Sequence, residues 1–185
     1  MRKKIVPIGL SFLLLSAAGC QNKEKASNKM QEQQEEAMQR IREYERILET
    51  NPKDLEILIA LGNISYDMGK WKEAVESYMK ALAIDSTNVD VRTDMGTAYK
   101  QMGLFDLAER EFKKGIEINP KHAKAHYNLG VVYHDQGKYK ETLVEWEKNY
   151  GLETDMQFKE IVMRNIEQLK LKINESNALA KPASK

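Results

Sequence analysis

Apolar and small residues return every three to four positions over Leu55–Asn88, and the arrangement repeats in register over Val89–His122 and Ala123–Met156. Leu58, Leu61 and Ser65 share one face of a helix, and Ala74, Tyr78 and Ala81 share one face of the next. Gly62, Gly96 and Gly130 stand 34 residues apart, as do Gly69, Gly103 and Gly137. The aromatic two residues after the second glycine keeps the same period, as Trp71, Phe105 and Tyr139. Each unit therefore predicts a helix, a glycine turn and a second helix. Gly69 suits the left-handed turn that ends the first helix. Gly62 and Ala74 let the two helices approach closely, with Leu61 and Tyr78 filling the flanks.

The flanking segments carry helical patterns of their own. Asn28–Thr50 is polar with an apolar stripe of Met30, Met38, Ile41, Tyr44, Ile47 and Leu48. Its latter part is in phase with the second helix of a unit, Tyr44 standing where Tyr78 stands later, which predicts a half-repeat closing the N-terminal end. Thr154-Asp-Met-Gln157 has the form of a capping box. The helix it opens gathers Phe158, Ile161, Val162, Ile166, Leu169 and Ile173 on one side. A stack of repeats needs such a helix to cover its last apolar face; insertion into a membrane is the alternative use of the same face. Asn174–Lys185, with Pro182, reads as a disordered tail.

The spacing of large apolar residue, Leu-Gly, Tyr, Ala, aromatic and Pro resembles the tetratricopeptide repeat (TPR) family, over roughly Ala37–Lys172. The first copy supplies Leu58, Leu61-Gly62, Ser65, Ala74, Tyr78 and Ser86. The second supplies Arg92, Met95-Gly96, Tyr99, Ala108, Phe112 and Pro120, and the third His126, Leu129-Gly130, Tyr133, Thr142, Trp146 and Thr154. The resemblance implies an all-α fold, a right-handed superhelical solenoid of antiparallel helix pairs. Its parts would be an N-terminal helix or half-repeat at 28–54, repeats at 55–88, 89–122 and 123–156, a capping helix at 157–173 and a tail at 174–185. Arg92 departs from the apolar position and Ser65 from the Tyr, while Gly115 and Asn149 stand where Ala81 stands. Thr142 replaces Ala, and Gly151 falls near the end of the third unit's second helix, where it is expected to interrupt that helix and leave the third hairpin loosest.

The first residues follow another logic. Met1-Arg-Lys-Lys4 is basic and Ile5–Ala18 is apolar, which predicts an export signal at 1–19. Leu15-Ser-Ala-Ala-Gly-Cys20 resembles the bacterial lipobox, although Ala17 stands where leucine is commoner. The resemblance implies that Cys20 is acylated, with palmitate-type chains, and becomes the mature N-terminus. Residues 20–27 would then form a lipidated cysteine and short polar tether. Gln21 in place of Asp implies the outer membrane, periplasmic face, if the cell has two membranes.

Composition narrows the function. Cys20 is the one cysteine, which excludes internal disulfides and cysteine-based metal clusters. The formal charge of +1 becomes −2 once Arg2, Lys3 and Lys4 are removed (1 − 3), which gives no electrostatic footprint for nucleic acid. His122-x-x-x-His126 has the helical spacing of a ligand pair, yet no carboxylate completes a zinc site in sequence, so His126 is expected in the core. Asp85-Ser-Thr-Asn-Val-Asp90 lacks the glycine and glutamate of a calcium loop; Thr87-x-x-Asp90 reads instead as a helix N-cap. With no phosphate loop, nucleophile elbow or Ser-His-Asp arrangement, no catalytic residue, cofactor or metal is expected.

The resemblance places a peptide-binding groove on the first helix of each repeat. By position the groove residues are Asn63, Tyr66 and Asp67, then Asp90, Thr93, Asp94, Thr97, Lys100 and Gln101, then Lys124, Tyr127, Asn128, Val131 and His134. Glu56, Ile59 and Asp135 flank them. The paired basic groups with which some family members clamp a terminal carboxylate are missing, since Ile59 and Thr93 occupy those places. Tyr66, Tyr127 and Val131 are expected to add apolar area to the concavity. The function implied is a lipid-anchored scaffold that binds a protein or peptide segment in the cell envelope and aids assembly of an envelope complex, as pilus and secretin pilots do. A chaperone-like module for c-type cytochrome maturation and a self-assembling structural protein, a homo-oligomer, are the alternatives.

Overall fold

Three polar caps, 34 residues apart, start the first helix of each repeat. Asp54, Asn88 and His122 accept a hydrogen bond from the backbone N–H three residues on, at 3.2, 3.0 and 3.1 Å. They open α2 (Leu55–Asp67), α4 (Val89–Gln101) and α6 (Ala123–Asp135). Each cap satisfies a donor that the helix cannot satisfy itself, worth about 1 kcal/mol. The helices stop where Gly69, Gly103 and Gly137 take φ of +72°, +73° and +73°. The residue after each glycine then donates back to Ser65, Tyr99 or Tyr133 at 2.8–2.9 Å, closing the helix end. The second helices follow at once, as α3 (Trp71–Ile84), α5 (Phe105–Ile118) and α7 (Tyr139–Leu152).

The computed structural model of the chain describes residues 11–179, in which the remaining helices are α1 (Ser11–Thr50) and α8 (Met156–Leu179). The chain divides into two units, residues 1–43 and 44–185. In the first, the described residues form one helix. The 20–27 segment expected as a tether is helical here, because neither proline nor glycine interrupts Gln21–Thr50. Within the stripe, Met30 is exposed while Ile41 is buried. Residues 1–10 of the export signal and the Cys20 side chain lie outside the described residues. Among the described residues no helix is long and apolar enough to cross a membrane.

In the second unit, successive helices pack on one another from α2 through α8. The first helices also meet each other, α2 with α4 and α4 with α6, whereas α3, α5 and α7 do not. Helices that touch in one layer and splay in the other make a stack that curves, with α2, α4 and α6 inside. The fold is an all-α helical repeat.

Each pair closes on one contact between a glycine and a ring. A methyl group on Gly96 would stand 2.7 Å from Phe112 Cε1, and the Tyr78 and Trp146 rings crowd Gly62 and Gly130 in the same way. Phe112 is fully buried and cannot move aside. Gly96→Ala is therefore expected to destabilise the protein by about 1–3 kcal/mol, with partial recovery when Phe112→Leu makes room, measured by urea unfolding.

Four expectations are corrected at helix ends. Asn88, not Thr87, caps α4; Thr87 instead donates to Asp85 at 2.7 Å. Asp155, not Thr154, caps α8, its carboxylate accepting from the Gln157 and Phe158 amides at 2.9 and 3.1 Å. Gly151 does not interrupt α7, which has the 14 residues of α3 and α5. It points at open space, so Gly151→Ala adds helix propensity without a clash. Finally, α8 runs past residue 173 to Leu179, into the segment expected as tail.

Candidate functional site

The inner layer holds a cavity of about 470 Å³ lined by Asn63, Tyr66 and Asp67 of α2, Asp94 and Thr97 of α4, Lys124 and Asn128 of α6, and Tyr78. Seven of these eight are groove residues expected from the sequence. They meet because α2, α4 and α6 lie side by side in the inner layer. Tyr78 was expected only as packing. Its ring fills the space left by Gly62, but its hydroxyl reaches the cavity wall and donates to Asn63 Oδ1 at 2.8 Å.

A polar network rims the cavity. Lys124 Nζ donates to Asp94 Oδ1 at 2.7 Å, linking α6 to α4. Gln101 Nε2 donates to the Tyr66 hydroxyl at 3.1 Å, linking α4 to α2. Asn128 Nδ2 reaches Thr97 Oγ1 at a long 3.4 Å. Burial, followed by the charges of Asp94 and Asp67, pushes the Tyr78 phenol well above its ordinary pKa, so it stays protonated and donating.

Other expected groove residues sit elsewhere. Asp90, with an exposed carboxylate, lies 2.9 Å from His122 Nε2. Lys100 is half-buried outside the cavity lining. Thr93 is fully buried, its hydroxyl donating to the Val89 carbonyl, so it belongs to the core and not to the groove. Tyr127 and Val131 are also corrected, since they are half-buried beneath α8 and pack on Trp146, Val162, Ile166 and Leu169. Tyr127 stacks on Trp146 with centroids 6.0 Å apart and meets Phe158 edge-on at 5.0 Å. Together with His134, Tyr127 lines a second, smaller cavity of about 360 Å³, walled by Asn165, Gln168 and Lys172 of α8. Tyr66 alone of the three expected apolar contributors lines the cavity between α2, α4 and α6.

The histidines are engaged separately. His122 caps α6 and faces Asp90, while His126 is buried with Nδ1 2.6 Å from Glu145 Oε2 and Nε2 3.0 Å from the Pro120 carbonyl. The core expectation for His126 holds, but its partner Glu145 was not anticipated. The corresponding site one repeat earlier holds Arg92, 2.7 Å from Glu111.

Comparison with known proteins supports the repeat architecture. Family models described as "TPR repeat" and "Tetratricopeptide repeat" match residues 62–103, 89–122 and 111–143. Comparison with curated proteins found no match. Among solved structures, the Sgt2 TPR domain from Aspergillus fumigatus aligns with a TM-score of 0.62 at 25% identity, covering 71% of this chain and 87% of that one. MamA aligns at 0.60 and 23% identity, covering 75% and 88%. The first TPR of Spaghetti (RPAP3), bound to the HSP90 peptide SRMEEVD, aligns at 0.58 and 24% identity, covering 69% and 94%. The last two likenesses speak to fold alone. Period, helix pairing and family match agree that residues 62–143 are tetratricopeptide repeats.

Proposed function

We propose that this chain is a lipid-anchored scaffold of the bacterial cell envelope whose repeats hold a protein or peptide segment and aid assembly of an envelope complex. The observation that carries the binding half is the cavity of about 470 Å³ shared by the first helices of all three repeats. It is concave, polar and free of any catalytic arrangement, which suits recognition more than chemistry. The Spaghetti domain, of similar fold, holds a peptide.

The anchoring half rests on the basic Met1–Lys4, the apolar Ile5–Ala18 and the small residues leading to Cys20. Two or three acyl chains at about 0.8 kcal/mol per buried CH₂ hold a domain firmly at a bilayer. Cys20→Ser is accordingly expected to move the protein to the soluble fraction, or to leave uncleaved precursor; unchanged attachment of a processed Cys20→Ser chain would remove the lipid anchor from the proposal. For the binding half, a photo-crosslinking residue placed at Thr97 or Asn128 in living cells should capture one partner. Capture only from the outer helices, at Glu76 or Lys113, would place the binding surface elsewhere.

A further inference from the structure

The charges in the cavity between α2, α4 and α6 do not balance. Its walls carry two carboxylates, Asp67 and Asp94, against the one ammonium of Lys124. That ammonium is committed to Asp94 at 2.7 Å. Asp67 lies outside that pair and is exposed. The Tyr78 hydroxyl cannot serve it, because its proton is already given to Asn63. Both carboxylates line the same cavity as that hydroxyl. Tyr66 lines the cavity too, and Gln101 ties its hydroxyl. A carboxylate outside the Lys124 pair, one engaged through a single oxygen, and an aromatic ring line the one cavity. Those are the groups that receive a cation.

We propose that the cavity takes a lysine or arginine side chain of the bound segment, held by Asp67 and the free oxygen of Asp94 beside Tyr66. This rests on the reading of the concave face as a peptide site and names the chemistry of its ligand. A segment presenting an acidic group would meet Asp67 and would have to pull Lys124 away from Asp94. The site therefore selects against ligands of the SRMEEVD type that the Spaghetti domain holds. Asn63 Nδ2 and Asn128 Oδ1 remain available for the backbone or polar side chains of the same segment.

The test is selection of a random heptapeptide display library on the immobilised full chain. The wild-type chain should enrich lysine or arginine over aspartate or glutamate at one position by roughly tenfold, the scale of one charge-assisted hydrogen bond. Raising the salt to about 1 M, where screening acts within about 3 Å, should shrink that preference. Asp67→Asn with Asp94→Asn leaves Lys124 as the cavity's one charge, and the preference should turn toward acidic peptides. Lys124→Gln frees Asp94, removes the cavity's one cation and should sharpen the preference for cations, so the idea stays testable if the double variant unfolds. Wild-type enrichment of acidic peptides, or cation preference retained in a folded double variant, would overturn the inference alone. Failure of the wild-type chain to enrich any peptide would overturn both the inference and the reading of the groove as a peptide site.

Discussion

Arg92→Leu is expected to destabilise the protein by about 3 kcal/mol, whereas Arg92→Leu combined with Glu111→Ser should come back close to the parent. The Arg92 and Glu111 side chains are 11% and 3% exposed, and their ends are 2.7 Å apart. Arg92 also donates to the Ser86 carbonyl at 2.9 Å, pinning the loop between the first and second repeats. Removing one member of a buried pair leaves the other charge uncompensated, at about 3–5 kcal/mol, while replacing both by groups of suitable size is often neutral. The lower figure applies here because Arg110 and Lys114 also reach Glu111, at 3.0 and 3.8 Å, from half-exposed positions. The double variant copies the first repeat, where Leu58 and Ser77 occupy the two places and are both buried. Urea unfolding measures the three chains, and Tm should fall by roughly 6–12 °C in the single variant. A single variant as stable as the parent would mean that the pair contributes nothing that leucine packing does not replace.

That pair also shows what could and could not be read from the residues. The period, the helix pairing, the left-handed glycines and the contact of Gly62, Gly96 and Gly130 with an aromatic depend on neighbours within one repeat, so the sequence pattern carries them. Seven cavity residues were legible for a related reason, since they lie on the first helix of each repeat, and those helices form the inner layer. Tyr127 and Val131 were misjudged because α8, which is not a repeat, covers that part of the third unit and packs them against its core. Thr93 faces inward, where its hydroxyl is satisfied by its own helix. The buried ion pairs left a trace that single-position matching overlooks. Arg92 and His126 replace the apolar Leu58, and a glutamate follows each by 19 residues, at Glu111 and Glu145. Two departures that keep a common spacing are a compensated pair, whereas either alone reads as a defect.

The third repeat should lose stability as the pH rises from about 6.5 to 9, and His126→Arg should abolish that loss. Both ring nitrogens of His126 face acceptors, the Glu145 carboxylate at 2.6 Å and the Pro120 carbonyl at 3.0 Å. Only the imidazolium donates to both; the neutral ring turns a lone pair toward one of them. The groups that bear on it are Glu145 and Lys148 from α7 and the Pro120 carbonyl from the α5–α6 turn. The Glu145 hydrogen bond raises the His126 pKa above its ordinary value, against burial and the repulsion of Lys148. Burial pushes Glu145 up, but the hydrogen bonds from His126 and Lys148 outweigh it and hold the carboxyl below its ordinary value. A raised histidine stabilises fully below its unfolded pKa of about 6.5 and loses that contribution as pH climbs through the folded value. A lowered glutamate stabilises above its unfolded pKa of about 4.3 and loses that contribution as pH falls through its folded value. The third repeat is therefore firmest between those limits, and losing one donor on the alkaline side costs about 1–3 kcal/mol. The second repeat provides the internal control, because Arg92 does not titrate in this range. Hydrogen exchange, corrected for its intrinsic pH dependence, should show α6 and α7 losing protection between pH 6 and pH 9 while α4 and α5 do not. His126→Arg should make the two repeats alike, and Arg92→His should bring the alkaline loss into α4 and α5. Equal loss in both repeats of the parent chain would mean that the histidine pair is not what titrates.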